Sequence, residues 1–178
     1  MRKITLGVAA LVVMALAIPA GAGKADHFTA DLNELNDSGV NGHAVLWQMD
    51  DTLRVNMTVN GLDPALGHAQ HIHGLDVGSA ECPTEALDGN EDGFVDLGEG
   101  LPAYGGVKLF LRDGENFPAP NPGGVTTTRV TYATEGLALG ELDTRVIVIH
   151  GLDINGNGVY EGIEGPLPVA CGVIDAQP

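Results

Sequence analysis

Aromatic residues are scarce in this chain, at 4% of 178 residues. Glycines number 26, and valines and threonines cluster in short runs. No amphipathic helical pattern longer than about ten residues stands out. These features favour an all-β domain with many tight turns over a helical one. Basic residues are also few, 8 against 24 acidic, for a formal charge of −16. Nucleic acid and anionic membrane surfaces are therefore poor partners. The only serines are Ser38 and Ser79, and the only cysteines Cys82 and Cys171, so nucleophile chemistry has little support. After the first residues no segment is apolar enough for long enough to span a bilayer.

Those first residues read as a secretory signal peptide over 1–22. Arg2 and Lys3 form the charged start, Ile4 to Ile18 the apolar run, and Ala20-Gly21-Ala22 the cleavage site. Removing them leaves 156 of the 178 residues and takes the formal charge from −16 to −18. That is room for one domain, 23–178, secreted to a periplasmic or extracellular space. In an exported chain an isolated cysteine pair reads most simply as a disulfide, the other reading being a thiol pair on a metal.

Short apolar runs bounded by turn residues predict strands at Phe28–Leu35, His43–Met49, Leu53–Asn60, around His71–His73, and at Val107–Leu111. Others follow at Val125–Thr134, Arg145–His150 and Pro168–Ile174. The run Leu53, Val55, Met57, Val59 alternates with Arg54, Asn56, Thr58, Asn60, so one face is apolar and the other polar. The run before His150 is continuously apolar, as in a buried strand. Residues 75–106 read as a long loop, and loops of that length in compact domains are functional or held by something. About seven or eight strands at this spacing suggest a sandwich.

Two patterns carry chemistry. His71 and His73 are two apart, so on a strand their imidazoles share a face. Adjacent buried imidazoles are costly unless they share a proton or a metal, and imidazole suits copper, zinc, iron and nickel. His150 ends the buried strand and is expected beside them. The second pattern is D-x-[DN]-x-[DN]-G-x5-E, a calcium-loop spacing that occurs twice. In 88–99 the oxygens come from Asp88, Asn90, Asp92, the Phe94 carbonyl, Asp96 and Glu99. In 153–164 they come from Asp153, Asn155, Asn157, the Val159 carbonyl, Glu161 and Glu164, with less charge and so weaker binding. Neither loop is flanked by a convincing amphipathic helix, so isolated structural calcium loops are expected.

Gly61-Leu62 through His73 resembles the copper/zinc superoxide dismutase segment GL-x-PG-x-HGFH-x-H. Arg145 to His150 is similar to that family's strand bearing a later copper histidine, and Ala170-Cys171-Gly172-Val173-Ile174 to its ACGVI ending. The resemblance implies a Greek-key β-sandwich or barrel with long loops and a Cys82–Cys171 disulfide. It implies His71, His73 and His150 as copper ligands, and His68 as a structural histidine beside the metal. No histidine lies between His73 and His150, so the zinc site, the bridging histidine and the fourth copper ligand have no counterpart. The family's active-site arginine falls at Pro168. Copper and calcium without zinc is the expected metal content, with loop 88–99 ordered by calcium where zinc ligands would sit. The front half, Phe28 through Gly74, also resembles secreted chordin-type (CHRD) domains.

Three functions follow. One is a copper-dependent superoxide dismutase acting on superoxide. Another is a copper binder without efficient turnover. The third is a non-catalytic chordin-type domain, held by calcium and a disulfide, that meets an extracellular protein partner.

Overall fold

A computed structural model describes residues 26–178. The expected signal peptide, 1–22, lies outside the described residues. The strands are β1 (Asp26–Glu34), β2 (Asn41–Met49), β3 (Thr52–Asn60), β4 (Gln70–Gly74), β5 (Gly106–Phe110), β6 (Thr126–Ala133), β7 (Val146–His150), β8 (Pro168–Val173) and β9 (Asp175–Ala176). One α-helix, α1 (Leu97–Tyr104), interrupts the long loop before β5. The domain is all-β.

Local chemistry sets the hairpins. In β3 the alternating residues Leu53, Val55, Met57 and Val59 are buried. β3 pairs with β2 from Asn41↔Asn60 to Met49↔Thr52, turning at Asp50-Asp51. Asp50 takes a left-handed conformation at φ 43°, which aspartate tolerates better than most residues.

Eight strands form one curled antiparallel sheet, a half-barrel, in the order β5-β4-β7-β8-β1-β2-β3-β6, and β9 adds to β1. β8 joins its two halves through only Asn33↔Cys171 and Glu34↔Ala170. β7 returns to lie beside β4, and β6 beside β3, the crossed connections expected of a Greek key. The main core lies inside the curl and includes Leu46, Val55, Ile72, Ile147, Ile149 and Val169. Edge strands β5 and β6 are not hydrogen-bonded to each other. Across that gap the buried Gln70 side chain donates to Thr126 Oγ1 and accepts from Thr128 Oγ1.

The other face of β4 and β7 matters more for the site. Ile72, Ile147 and Ile149 point into the main core, so His71, His73, Val146, Val148 and His150 face outward by alternation. A second, smaller core covers part of that outer face, built from Ala80, Tyr104, Val146, Val148 and Cys171. The loop 75–105 supplies its lid. The Cys82–Cys171 disulfide is formed and pins that lid to β8. α1 completes it, where sequence patterning predicted only loop. Two glycines and Pro102 within eight residues hide the helix from propensity. Asp96 accepts from Gly98 N and Glu99 N, and Glu99 reaches back to Asp96 N, so a capping box secures its start.

The disulfide closes a sequence separation of 89 residues. On the chain-entropy account a bridge of that span contributes about 4.6 kcal/mol. The Cys82→Ser/Cys171→Ser variant should therefore unfold at a clearly lower urea concentration than the wild type under non-reducing conditions. Coincident unfolding curves would show that the lid holds without the bridge.

Candidate metal centre

β4 presents His71 and His73 on one face, and β7 brings His150 alongside. His71 pairs with Val148 and His73 with Val146. His150 lies two residues beyond Val148 on the same face, at a bulge in its pairing with β8. The ring centroids are 5.3 Å apart for His71–His73, 5.3 Å for His71–His150 and 5.6 Å for His73–His150. One ring nitrogen from each lies within 4.8 Å of the others. Among the described residues this is the one cluster of histidine, cysteine or acidic groups so gathered, and it could hold a metal ion.

Hydrogen bonds fix two of the rings. His73 Nδ1 lies 2.8 Å from the Gly105 carbonyl and His150 Nδ1 lies 2.7 Å from the Pro166 carbonyl. A carbonyl only accepts, so each Nδ1 carries the proton and donates it. The lone pair then sits on Nε2, where a metal needs it. Both Nε2 atoms are buried without a partner, as are both nitrogens of His71. Burial holds the rings in the neutral state. It lowers His71 from 6.5 to about 3, with repulsion from His150, His73 and Arg112 adding to the effect. It lowers His150 to about 4, against the hydrogen bond to Pro166, which raises it. His73 is lowered too, again mainly by burial.

Around the rings the surroundings are apolar. A cleft of about 400 Å³ opens onto the three histidines, walled by Ala69, Leu97, Val107, Gly165 and Pro166. Tyr104 lies below His73, with centroids 4.8 Å apart, and its hydroxyl donates to the Leu97 carbonyl. Burial raises the Tyr104 hydroxyl to about 12, so it stays protonated. On the other side, Phe110 and Phe117 pack edge-on to His71, and the Arg112 guanidinium stacks over both.

His68 sits outside the trio and is buried. Its Nε2 donates to the Asp63 carbonyl at 3.1 Å, and its Nδ1 accepts from the Tyr160 hydroxyl at 3.3 Å. It links the chain before β4 to the second acidic loop, within reach of the His150 carbonyl.

The two acidic loops share one wiring. Asp88 accepts from Asp92 N and Gly93 N, and Asp153 accepts from Gly156 N, Asn157 N and Gly158 N. Asn90 and Asn155 each accept from the amide two residues on, as do Asp92 and Asn157. Glu99 closes its loop on Gly89 N and Asp96 N, and Glu164 closes the other on Ile154 N and Glu161 N. Gly93 and Gly158 turn at φ 93° and 81°, where a side chain would strain the backbone. Each carboxylate keeps lone pairs beyond these bonds. The first loop is tied to β8 through Asn36, which donates to the Val95 and Pro168 carbonyls.

No family model matches the chain, and no curated protein matches it. No helix among the described residues is long and apolar enough to cross a membrane. The formed disulfide is compatible with an oxidising, exported setting. Sequence reasoning missed the anchoring carbonyls of Gly105 and Pro166, and the packing of Tyr104, Phe110 and Phe117. For α1 a signal was present, the Asp96-x-x-Glu99 capping spacing, but the calcium pattern claimed the same residues.

The lowered values give a pH dependence. Below 6.5 the unfolded chain binds protons that the buried histidines refuse, so stability falls as pH falls from 6.5 through about 4. In metal-free protein this slope should be shallower for His150→Leu than for wild type, read as urea midpoints across that range. Parallel profiles would contradict the neutral, buried assignment.

Proposed function

We propose that this protein is an exported copper-binding protein of superoxide-dismutase-like architecture, with the metal on His71, His73 and His150. The supporting observation is the set of buried ring nitrogens without hydrogen-bond partners. Leaving such a group unpaired costs about 1–3 kcal/mol, and a bound metal removes that cost from all three rings together. The donors are imidazole nitrogens with no oxygen among them, which disfavours calcium and magnesium. Copper(II) also outranks zinc at nitrogen sites. When bound, copper supplies one-electron redox chemistry. The chain's residues bind and orient it: Gly105 and Pro166 aim two lone pairs, and Leu97, Val107 and Pro166 shield the site.

Binding is favoured over efficient dismutation. No histidine between His73 and His150 can serve as a fourth ligand and proton carrier. Of the described cations, Lys108 pairs with Asp76, Arg145 is spent on the Leu139 and Leu75 carbonyls, and Arg112, the one beside His71, is stacked on Phe110 and Phe117. The strongly acidic surface repels superoxide instead of steering it inward.

Calcium completes the reading, on loop 88–99 and more weakly on loop 153–164. Each loop is followed along the chain by a carbonyl that anchors a histidine. Glu99 lies in the first turn of α1, whose C-cap Gly105 holds His73, and Glu164 is two residues before Pro166, which holds His150.

Elemental counting on protein exported into an oxidising compartment should find a single copper and calcium, without zinc. His73→Ala should lose the copper and keep the calcium, and copper binding unchanged in that variant would rule the site out. Chelating calcium should lower the melting temperature. An unchanged melting temperature would remove calcium from the account while leaving the copper site standing.

A further inference from the structure

The three imidazoles are not equivalent. His73 and His150 each donate Nδ1–H to a main-chain carbonyl, which fixes tautomer and ring rotation together. His71 has no such anchor, because neither of its nitrogens has a hydrogen-bond partner. Only packing holds its ring, edge-on to Phe110 at 4.8 Å and Phe117 at 5.5 Å. An edge-to-face contact contributes about 0.5–1.5 kcal/mol and does not select a ring nitrogen. Both supports are themselves peripheral. Phe110 is 46% exposed on edge strand β5, and Phe117 belongs to the surface loop between β5 and β6. The Arg112 guanidinium, 4.5 Å from one ring centroid and 4.7 Å from the other, ties the two phenylalanines together.

We infer that His71 is the exchange ligand of the site, through which copper enters and leaves while His73 and His150 retain it. The inference rests on the copper reading of the same trio. The exchange is a ligand substitution with no change of oxidation state. A donor atom of the competing ligand would take the coordination position that His71 gives up as its ring turns, one bond replacing the other. Copper(I) accepts two imidazole nitrogens, and His73 and His150 are the pair whose carbonyl-anchored rings keep their Nε2 lone pairs in place when His71 turns away. The rate is set by how firmly Phe110 and Phe117 hold the ring, which makes them positioning residues. A site with one swinging ligand suits a protein that hands copper on.

The test loads the full exported domain with copper(I) under reducing, anaerobic conditions that leave the disulfide intact. Bicinchoninate then takes the metal, and stopped-flow absorbance follows the transfer. Phe110→Ala and Phe117→Ala should speed transfer about tenfold, in keeping with the effect of other contacts around metal ligands, with only a small fall in the melting temperature of the metal-free protein. His71→Ala should still take up copper(I) and release it faster than the wild type. His73→Ala and His150→Ala, each left with one anchored ring and the unanchored His71, should hold copper(I) far more weakly than His71→Ala. Loss of copper in His71→Ala as complete as in His73→Ala would overturn the inference, as would wild-type transfer rates in both phenylalanine variants. Those outcomes leave copper binding itself intact. A wild type that takes up no copper(I) overturns the copper reading and this inference with it.

Discussion

Four ring nitrogens buried without a partner, on three imidazoles kept neutral, are the constraint around which the outer face of the sheet is arranged. Burying such atoms is unfavourable unless something fills the space between them. The surrounding structure keeps them in place. The β4–β7 register sets the rings side by side, and the disulfide holds the lid over the same face. At the lid's end Tyr104 packs against the His73 ring and the Gly105 carbonyl accepts the hydrogen bond from His73 Nδ1–H. Gly105 is irreplaceable there, because a Cβ would sit 2.3 Å from the Gly74 carbonyl oxygen.

The acidic loops enter the same arrangement from outside. They are unrelated in position along the chain, yet each closes on a glutamate by the same pair of amide contacts, to the second and ninth residues of its pattern. One is continued by a helix, the other by Gly165-Pro166. Both continuations wall the cleft and supply a carbonyl to a histidine. Whatever rigidifies these loops therefore also rigidifies the carbonyls that hold His73 and His150. Glu164 shows how closely the two are joined, since it is 4% exposed and only two residues from Pro166.

Much of this was legible in the sequence because it rests on period-two patterning. The alternation in Leu53–Asn60 fixed which face of β3 is buried, and the continuous run before His150 marked a buried strand. The His-x-His spacing put two imidazoles on one face, and the all-β class followed from glycine, valine and threonine usage. What was not legible depends on main-chain atoms and on long-range packing. A carbonyl acceptor such as that of Gly105 has no sequence signature. α1 carries glycine and proline against its own propensity and survives by its cap and by Tyr104. Phe110 and Phe117 meet His71 only because β5 pairs with β4 and the following loop folds back. The unequal anchoring of the three histidines therefore emerges only in three dimensions.

The most direct test of the central claim is X-ray absorption at the copper edge on the copper(I)-loaded protein. The account predicts a first shell of imidazole nitrogens alone, from three rings. In His71→Ala that shell drops to two rings. A shell dominated by carboxylate oxygen or by sulfur would place the metal elsewhere on this acidic chain and contradict the three-histidine centre.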